Sequence, residues 1–313
     1  MDFEKLKRGI FISLGIGMVV FVGLSIYSDL GALKKSFVAF DFRFLPMILM
    51  LAPLNYLFRY IKWSYYLTLV GVTVDRKDNI LIFLSGLSMT ITPGKIGEFL
   101  KSYLLKERAN VPISTTAPLI VGERLTDGMS VLILAGIGVL SYDYGKGILI
   151  LVLLLMLAFI LMVQSPALIH GILKYFHRIP LFQRFRTFIL NFYEHAYLIL
   201  KWKPLLFAVS IGVVSWFFEG VVIYLAVKGL GFQLPLLACV FIVSFSFIVG
   251  ALSMMPGGLF AVEGSVVGLL LMMHLEKSTA VATTIITRFS TLWLGVALGL
   301  MGLMVIYRKK ANP

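Results

Sequence analysis

The run Thr92-Pro93-Gly94-Lys95-Ile96-Gly97-Glu98 interrupts an apolar stretch from Ile80 to Leu105. A second apolar stretch, Pro235 to Leu275, is interrupted by Met255-Pro256-Gly257-Gly258. Proline offers no backbone N–H and glycine weakens a helix, so each break reads as the turn of a helix–turn–helix. Each half is too short to cross the hydrocarbon core of a bilayer, which takes about 20 apolar helical residues. Broken backbone at membrane depth survives only when it is buried in protein or lines a wet cavity. Both segments are therefore expected to be re-entrant hairpins.

Around them lie six stretches long enough to span, at roughly 9–28, 44–70, 114–140, 146–164, 204–228 and 279–306. The first follows Lys5, Lys7 and Arg8. It is too long for a signal-peptide apolar region and lacks a small-residue cleavage site, so it is expected to stay as a helix. The expected fold is an all-α polytopic membrane protein, about six transmembrane helices plus two re-entrant helical hairpins, forming a single integral membrane domain over 1–313. Composition points the same way. Of the 313 residues 59% are apolar and only 14% charged, against about half and a quarter in soluble domains. A soluble enzyme and a disordered chain are excluded on that ground. The single cysteine, Cys239, excludes an intramolecular disulfide and a multi-cysteine metal site.

The net charge of +13 has its first explanation in cytoplasmic loops, which carry excess Lys and Arg in membrane proteins, and a second in anionic lipid headgroups. No nucleic-acid partner is needed. With the N-terminus cytoplasmic, Arg76, Lys77, Lys101, Lys106 and Arg108 fall inside, as do Lys174, Arg178, Arg184, Arg186, Lys201 and Lys203 of the long 165–203 segment and Arg308, Lys309 and Lys310 of the tail. The opposite side holds fewer: Lys34, Lys35, Arg43, Lys146, Lys228 and Lys277. This bias works only if both hairpins return to the side they entered, and it sets both termini in the cytoplasm of a cell with this protein in its cytoplasmic membrane.

The two hairpins head similar units. Each tip is followed by a glutamate, Glu98 or Glu263, and then by an arginine, Arg124 or Arg288, which lie 31 and 32 residues after Pro93 and Pro256. The halves, about 44–140 and 204–306, read as an inverted repeat of span, hairpin, span. Between them, about 165–203, Phe182, Phe185, Ile189, Phe192, Ala196 and Ile199 recur at helical spacing, which predicts an amphipathic helix on the cytoplasmic surface. Inverted repeats with broken helices are a transporter plan, with the substrate site at the repeat interface near mid-membrane.

Ionisable residues at membrane depth are costly unless paired or hydrated, and are functional candidates. The densest set is Glu123-Arg124-Leu125-Thr126-Asp127. Glu123 and Asp127 share a helix face, while Arg124 points round from them to meet an acid elsewhere or a phosphate, which its guanidinium can grip with two bonds. Lys95 and Glu98 sit at the first break, where a helix beginning near Gly97 would aim its N–H groups at an anion. Arg288 lies too deep in an apolar helix to snorkel, and Glu263 and Glu219 are its expected partners. On 44–70, Arg59 is expected to line the site, and Lys62 to snorkel toward the interface. The four histidines show no metal-ligand spacing; His170 and His177 read as interfacial. No Walker, His-Glu-x-x-His or Gly-x-Ser-x-Gly motif is present, so no cofactor, ATP drive or enzymatic activity is expected.

Taken together, Thr92-Pro93-Gly94-Lys95-Ile96-Gly97-Glu98, Val121-Gly122-Glu123-Arg124-Leu125-Thr126-Asp127, Met255-Pro256-Gly257-Gly258 with Glu263-Gly264, and Thr287-Arg288-Phe289 resemble the lysylphosphatidylglycerol synthase transmembrane-region family of flippase-like membrane proteins. Phe260 stands where the family pattern has glycine, so the second hairpin is expected to be tighter or differently lined. Lysyl-transferring members continue into a soluble C-terminal aminoacyl-transferase domain, whereas this sequence stops at Pro313. The resemblance therefore implies translocation of an anionic lipid, a phospholipid or a polyprenyl-phosphate-linked one, rather than synthesis.

The expected site follows. Arg124 and Arg288, helped by Lys95 and Arg59, bind the headgroup phosphate, with Gly94, Gly97, Gly257 and Gly258 letting backbone approach. Glu98, Glu123, Asp127, Glu219 and Glu263 brace the arginines and are candidates to carry coupling protons, and Pro93 and Pro256 fix the gates. Expected partners are an anionic lipid and the bilayer, with a homo-oligomer or a partner glycosyltransferase or synthase also open. Two other readings share these features: a non-transporting accessory that binds lipid or a glycosyltransferase, and an ion or small-solute transporter.

Overall fold

A computed structural model describes residues 3–139, 146–166, 171 and 180–311. Of the residues singled out above, Lys174, Arg178, His170 and His177 lie outside the described residues. All described secondary structure is helical. Helix α1 (Phe3–Tyr27) turns through 97° into α2 (Leu30–Ala39). Asp29 makes the corner, its carboxylate accepting the Ala32 N–H at 3.0 Å, as an N-cap acid should. A short 3₁₀ turn, Phe42–Phe44, leads into α3 (Leu45–Leu69), then α4 (Arg76–Leu87), the tip turn Pro93–Phe99, α5 (Leu100–Ala109), α6 (Ile113–Val139) and α7 (Lys146–Gln164). The connector helix α8 (Pro180–Ile199) leads to α9 (Trp202–Gly229), α10 (Leu236–Leu252), the tip turn Pro256–Gly258, α11 (Ala261–Met272), α12 (Lys277–Arg288), a π-helical turn Phe289–Trp293, and α13 (Leu294–Ala311).

Both sequence breaks are real. The 12 residues of α4 and the 10 of α5 rise only about 18 and 15 Å, so neither can cross a bilayer alone. The six expected spans fare less evenly. Among the described residues three runs are long and apolar enough to cross: Phe42–Leu69, Trp202–Gly229 and Lys277–Arg308. The bent pair α1–α2 would make a fourth. Helix α6 is long enough at 27 residues, but any 18-residue window within it contains Glu123, Arg124 and Asp127. The apolar part of α7, Ile150–Gln164, is short.

Helix α3 packs along α9. They exchange two hydrogen bonds at their crossing: Asn55 Nδ2 donates to the Ser215 carbonyl at 2.8 Å and Ser215 Oγ to the Asn55 carbonyl at 3.3 Å. Each first hairpin arm packs on the last helix of the other half, α4 on α13 and α10 on α6. The α4–α13 approach is backbone to backbone. A methyl group on Gly299 would sit 2.2 Å from the Ser88 nitrogen. Three apolar cores result, one around Trp63, Ile82 and Leu104 under the first hairpin, one around Ile223, Ile242 and Val266 under the second, and one around Val131, Trp216 and Phe241 between α6, α9 and α10. The connector contains a helix, α8, whose C-terminal end lies on α6, with Ile199 buried against Gly122.

Candidate functional site

The two hairpin tips pack against each other. At the first, Gly94 (φ 56°) and Lys95 (φ 57°) take left-handed backbone, and the turn is tied by the Lys95 N–H to the Thr92 carbonyl at 2.9 Å. At the second, Gly257 (φ 61°) and Gly258 (φ 65°) do the same, followed by Phe260 (φ 67°). Glycine adopts this region freely. Phe260 has a positive φ as well, with ψ −49°, a backbone that glycine takes more readily than phenylalanine. Pro93 and Pro256 each open their turn.

Two adjoining cavities lie at this junction. The larger, about 200 Å³, is lined by the charged Lys95, Arg124 and Asp127 and by apolar Val131, Met254 and Val262 among others. The smaller, about 50 Å³, is bounded by Tyr56, Arg59, Lys95, Glu219 and Arg288 among others. Lys95, Trp216, Phe247 and Gly257 border both.

Each half supplies one arginine held by its own hairpin's glutamate. Arg124 Nε lies 3.3 Å from Glu98, and its Nη2 lies 3.0 Å from Asp127. Arg288 donates through Nε to Glu263 at 2.6 Å and through Nη2 to the Gly257 carbonyl at 2.8 Å. Arg288 thus bolts its helix to the second tip while lining the small cavity. The expected pairing of Arg288 with Glu263 is present; Glu219 shares its cavity instead. Arg59 lines the same cavity.

Other expectations need correction. Lys62 does not snorkel: it is 0% exposed and pairs with Asp127. Its helix faces α6 there, and a carboxylate four residues from Glu123 holds it inside. Lys101, counted above as a loop charge, is buried and paired with Glu123, its Nζ 4.1 Å from the Trp63 ring centroid. Glu123 is accordingly a partner of α5, turned away from both cavities. Gly97 is not at an anion site either. Its N–H goes to Thr92 Oγ1 at 2.9 Å, and the second arm begins three residues later, at Leu100. Gly94, Gly257 and Gly258 do border the larger cavity. Sequence reasoning missed Lys101, Trp216 and Phe247. Parity was the available signal for Lys101, since buried acids at Glu98, Glu123 and Asp127 demand an equal number of buried cations.

Six cations (Arg59, Lys62, Lys95, Lys101, Arg124, Arg288) thus face five acids (Glu98, Glu123, Asp127, Glu219, Glu263) around the hairpins. The surplus is one positive charge, with Lys95 and Arg59 beside Glu219 at the cavity walls. Basic and apolar side chains lining one cavity suit an amphiphilic anion. Among the described residues no three His, Cys, Asp or Glu side chains gather as a metal site.

The family described as lysylphosphatidylglycerol synthase TM region matches residues 10–299. Among curated proteins the chain is similar to a UPF0104 membrane protein of Methanothermobacter thermautotrophicus, 24% identical over 94% of each chain. It is also similar to a UPF0104 membrane protein of Methanocaldococcus jannaschii, 26% identical over 70% of this chain and 94% of the relative.

Proposed function

Because the chain belongs to the lysylphosphatidylglycerol synthase transmembrane-region family, and is an integral multi-pass membrane protein, we propose that it moves an anionic lipid between leaflets. The observation that carries this reading is the pairing of Arg124 and Arg288, one from each half, beside cavities where both hairpin tips meet. The phosphate of a phospholipid or a polyprenyl-phosphate-linked lipid engages Lys95 and the free donors of the two arginines. The chain portion lies along Val131, Trp216, Phe247 and Val262. Glu98, Asp127 and Glu263 keep the arginines oriented without ligand, since an unpaired guanidinium in a low-dielectric interior is costly.

In this reading the hairpins are re-entrant gates, and the halves form an inverted repeat within one membrane domain. The reciprocal packing of α4 on α13 and of α10 on α6 supports that symmetry, as does the matching glutamate–arginine pair in each half. Six helices then count as spans, with α6 tolerated in the membrane because its charges are paired with α3, α5 and the first tip. The protein sits in the cytoplasmic membrane with both termini inside, and it catalyses no covalent chemistry. The test is the lipid content of gently extracted protein, read by mass spectrometry against the bulk membrane. Enrichment of one anionic lipid, lost in Arg124→Gln, is expected. A bound set matching the bulk membrane in both proteins would reduce the arginines to structural ion pairs.

A further inference from the structure

The five acids around the hairpins are not equivalent. Glu98, Glu123, Asp127 and Glu263 each hold a cation at ion-pair distance. Glu219 on α9 forms no such pair among the described residues. It is 6% exposed, its Oε2 has no hydrogen-bond partner, and it borders the small cavity. The titratable and charged groups around that cavity are Tyr56 and Arg59 from α3, Lys95 from the first tip and Arg288 from α12. Thr90 and Thr291 add hydroxyls. Three cations therefore share one unpaired carboxylate at the wall an incoming phosphate would approach.

We propose that binding of a lipid phosphodiester at the hairpin junction is accompanied by uptake of one proton from solvent onto Glu219. This rests on the lipid-binding reading above. A phosphate drawn to Lys95 and Arg288 comes beside Glu219 in a low-dielectric cavity, and a neighbouring like charge favours the protonated acid. The proton goes to the carboxylate oxygen; no bond to phosphorus is made or broken. Protonated, Glu219 no longer repels the phosphate or competes for the field of Arg59, Lys95 and Arg288, and it offers the phosphate an O–H donor. The smaller cavity, about 50 Å³, has room for a few waters, which gives the proton its local path. The same exchange makes proton and lipid move together and ties translocation to a proton gradient.

The test uses the full chain in detergent, titrated with dihexanoyl phosphatidylglycerol, whose phosphodiester stays ionised near neutral pH. Calorimetry in two buffers of different ionisation enthalpy counts protons taken up per lipid bound. Wild type is expected to take up as much as one proton, with affinity falling up to tenfold per pH unit above neutrality, because linkage is reciprocal. Glu219→Gln, which keeps the shape of the protonated acid, is expected to bind with no uptake and a flat pH profile. Lipid binding by wild type without proton uptake at any pH overturns the inference and leaves the lipid site standing, as does unchanged uptake in Glu219→Gln. No binding of the lipid by folded wild type overturns the proposed function and this inference with it. If Glu219→Gln does not fold, the wild-type proton count decides alone.

Discussion

Removing Arg288 should be among the most damaging single changes available in this chain, and removing its partner as well should undo much of the damage. Arg288 is 2% exposed and Glu263 0%. The side chain makes two charge-assisted hydrogen bonds, at 2.6 Å to Glu263 and 2.8 Å to the Gly257 carbonyl. Bonds to charged groups contribute about 1.5–3 kcal/mol each, and breaking one side of a buried pair costs about 3–5 kcal/mol because the other charge stays inside. Glu263 Oε2 already has no hydrogen-bond partner, so Arg288→Met leaves a carboxylate with nothing to hold, and the upper figure, about 5 kcal/mol, is expected. Native proteins are stable by only about 5–15 kcal/mol. The double variant Arg288→Met with Glu263→Leu removes both charges and refills the space with apolar atoms, which is often close to neutral. It should lie within about 2 kcal/mol of wild type, the orphaned Gly257 carbonyl being the residual. Reversible unfolding in mixed micelles, followed by tryptophan fluorescence, reads all three proteins. The reasoning is refuted if Arg288→Met falls within about 1 kcal/mol of wild type, or if the double variant is as unstable as the sum of the singles.

Lys62→Met should be milder, about 1–3 kcal/mol in the same assay, because Asp127 keeps Arg124 at 3.0 Å. Gly299→Val should cost about 3 kcal/mol or more, since its first side-chain carbon meets the Ser88 backbone at 2.2 Å and a helix backbone cannot yield as a side chain does. Phe260→Gly should raise stability by about 1 kcal/mol by relieving the left-handed φ of 67°. The ring it removes is 48% exposed, so little packing is lost, and a fall in stability would show that the ring contributes more than the strain.

The hairpins were legible because proline and glycine act locally: a missing N–H at Pro93 or Pro256 ends a helix whatever surrounds it. Arg288 was legible for a similar reason, since its depth inside an apolar helix can be counted along the chain. Lys62 and Lys101 were misread because depth along a helix does not say which neighbour faces it. Both lie near helix ends where snorkelling is open, and only the packing of α3 and α5 against α6 closes that route. The start of the second arm was misplaced for a subtler reason. Gly97 looked like a helix N-terminus, but the Thr92 side chain takes its N–H and prolongs the turn to Phe99. Phe260 shows the reverse case, a residue other than glycine held at a positive φ that the sequence does not announce. The three-charge stretch in α6 lowers the apolarity by which spans are recognised, yet its helix was legible at 114–140 because apolar residues flank the charges on both sides.

Transbilayer movement is the property on which the functional reading stands. The direct measurement reconstitutes the full chain in vesicles with a fluorescent phosphatidylglycerol and, separately, a fluorescent phosphatidylcholine, and follows the loss of inner-leaflet signal to a membrane-impermeant quencher. Protein-dependent movement of the anionic lipid well above the zwitterionic one is expected, abolished in Arg124→Gln and in the refilled Arg288→Met, Glu263→Leu protein. Movement no faster than in protein-free vesicles, or equal in wild type and both variants, would contradict it.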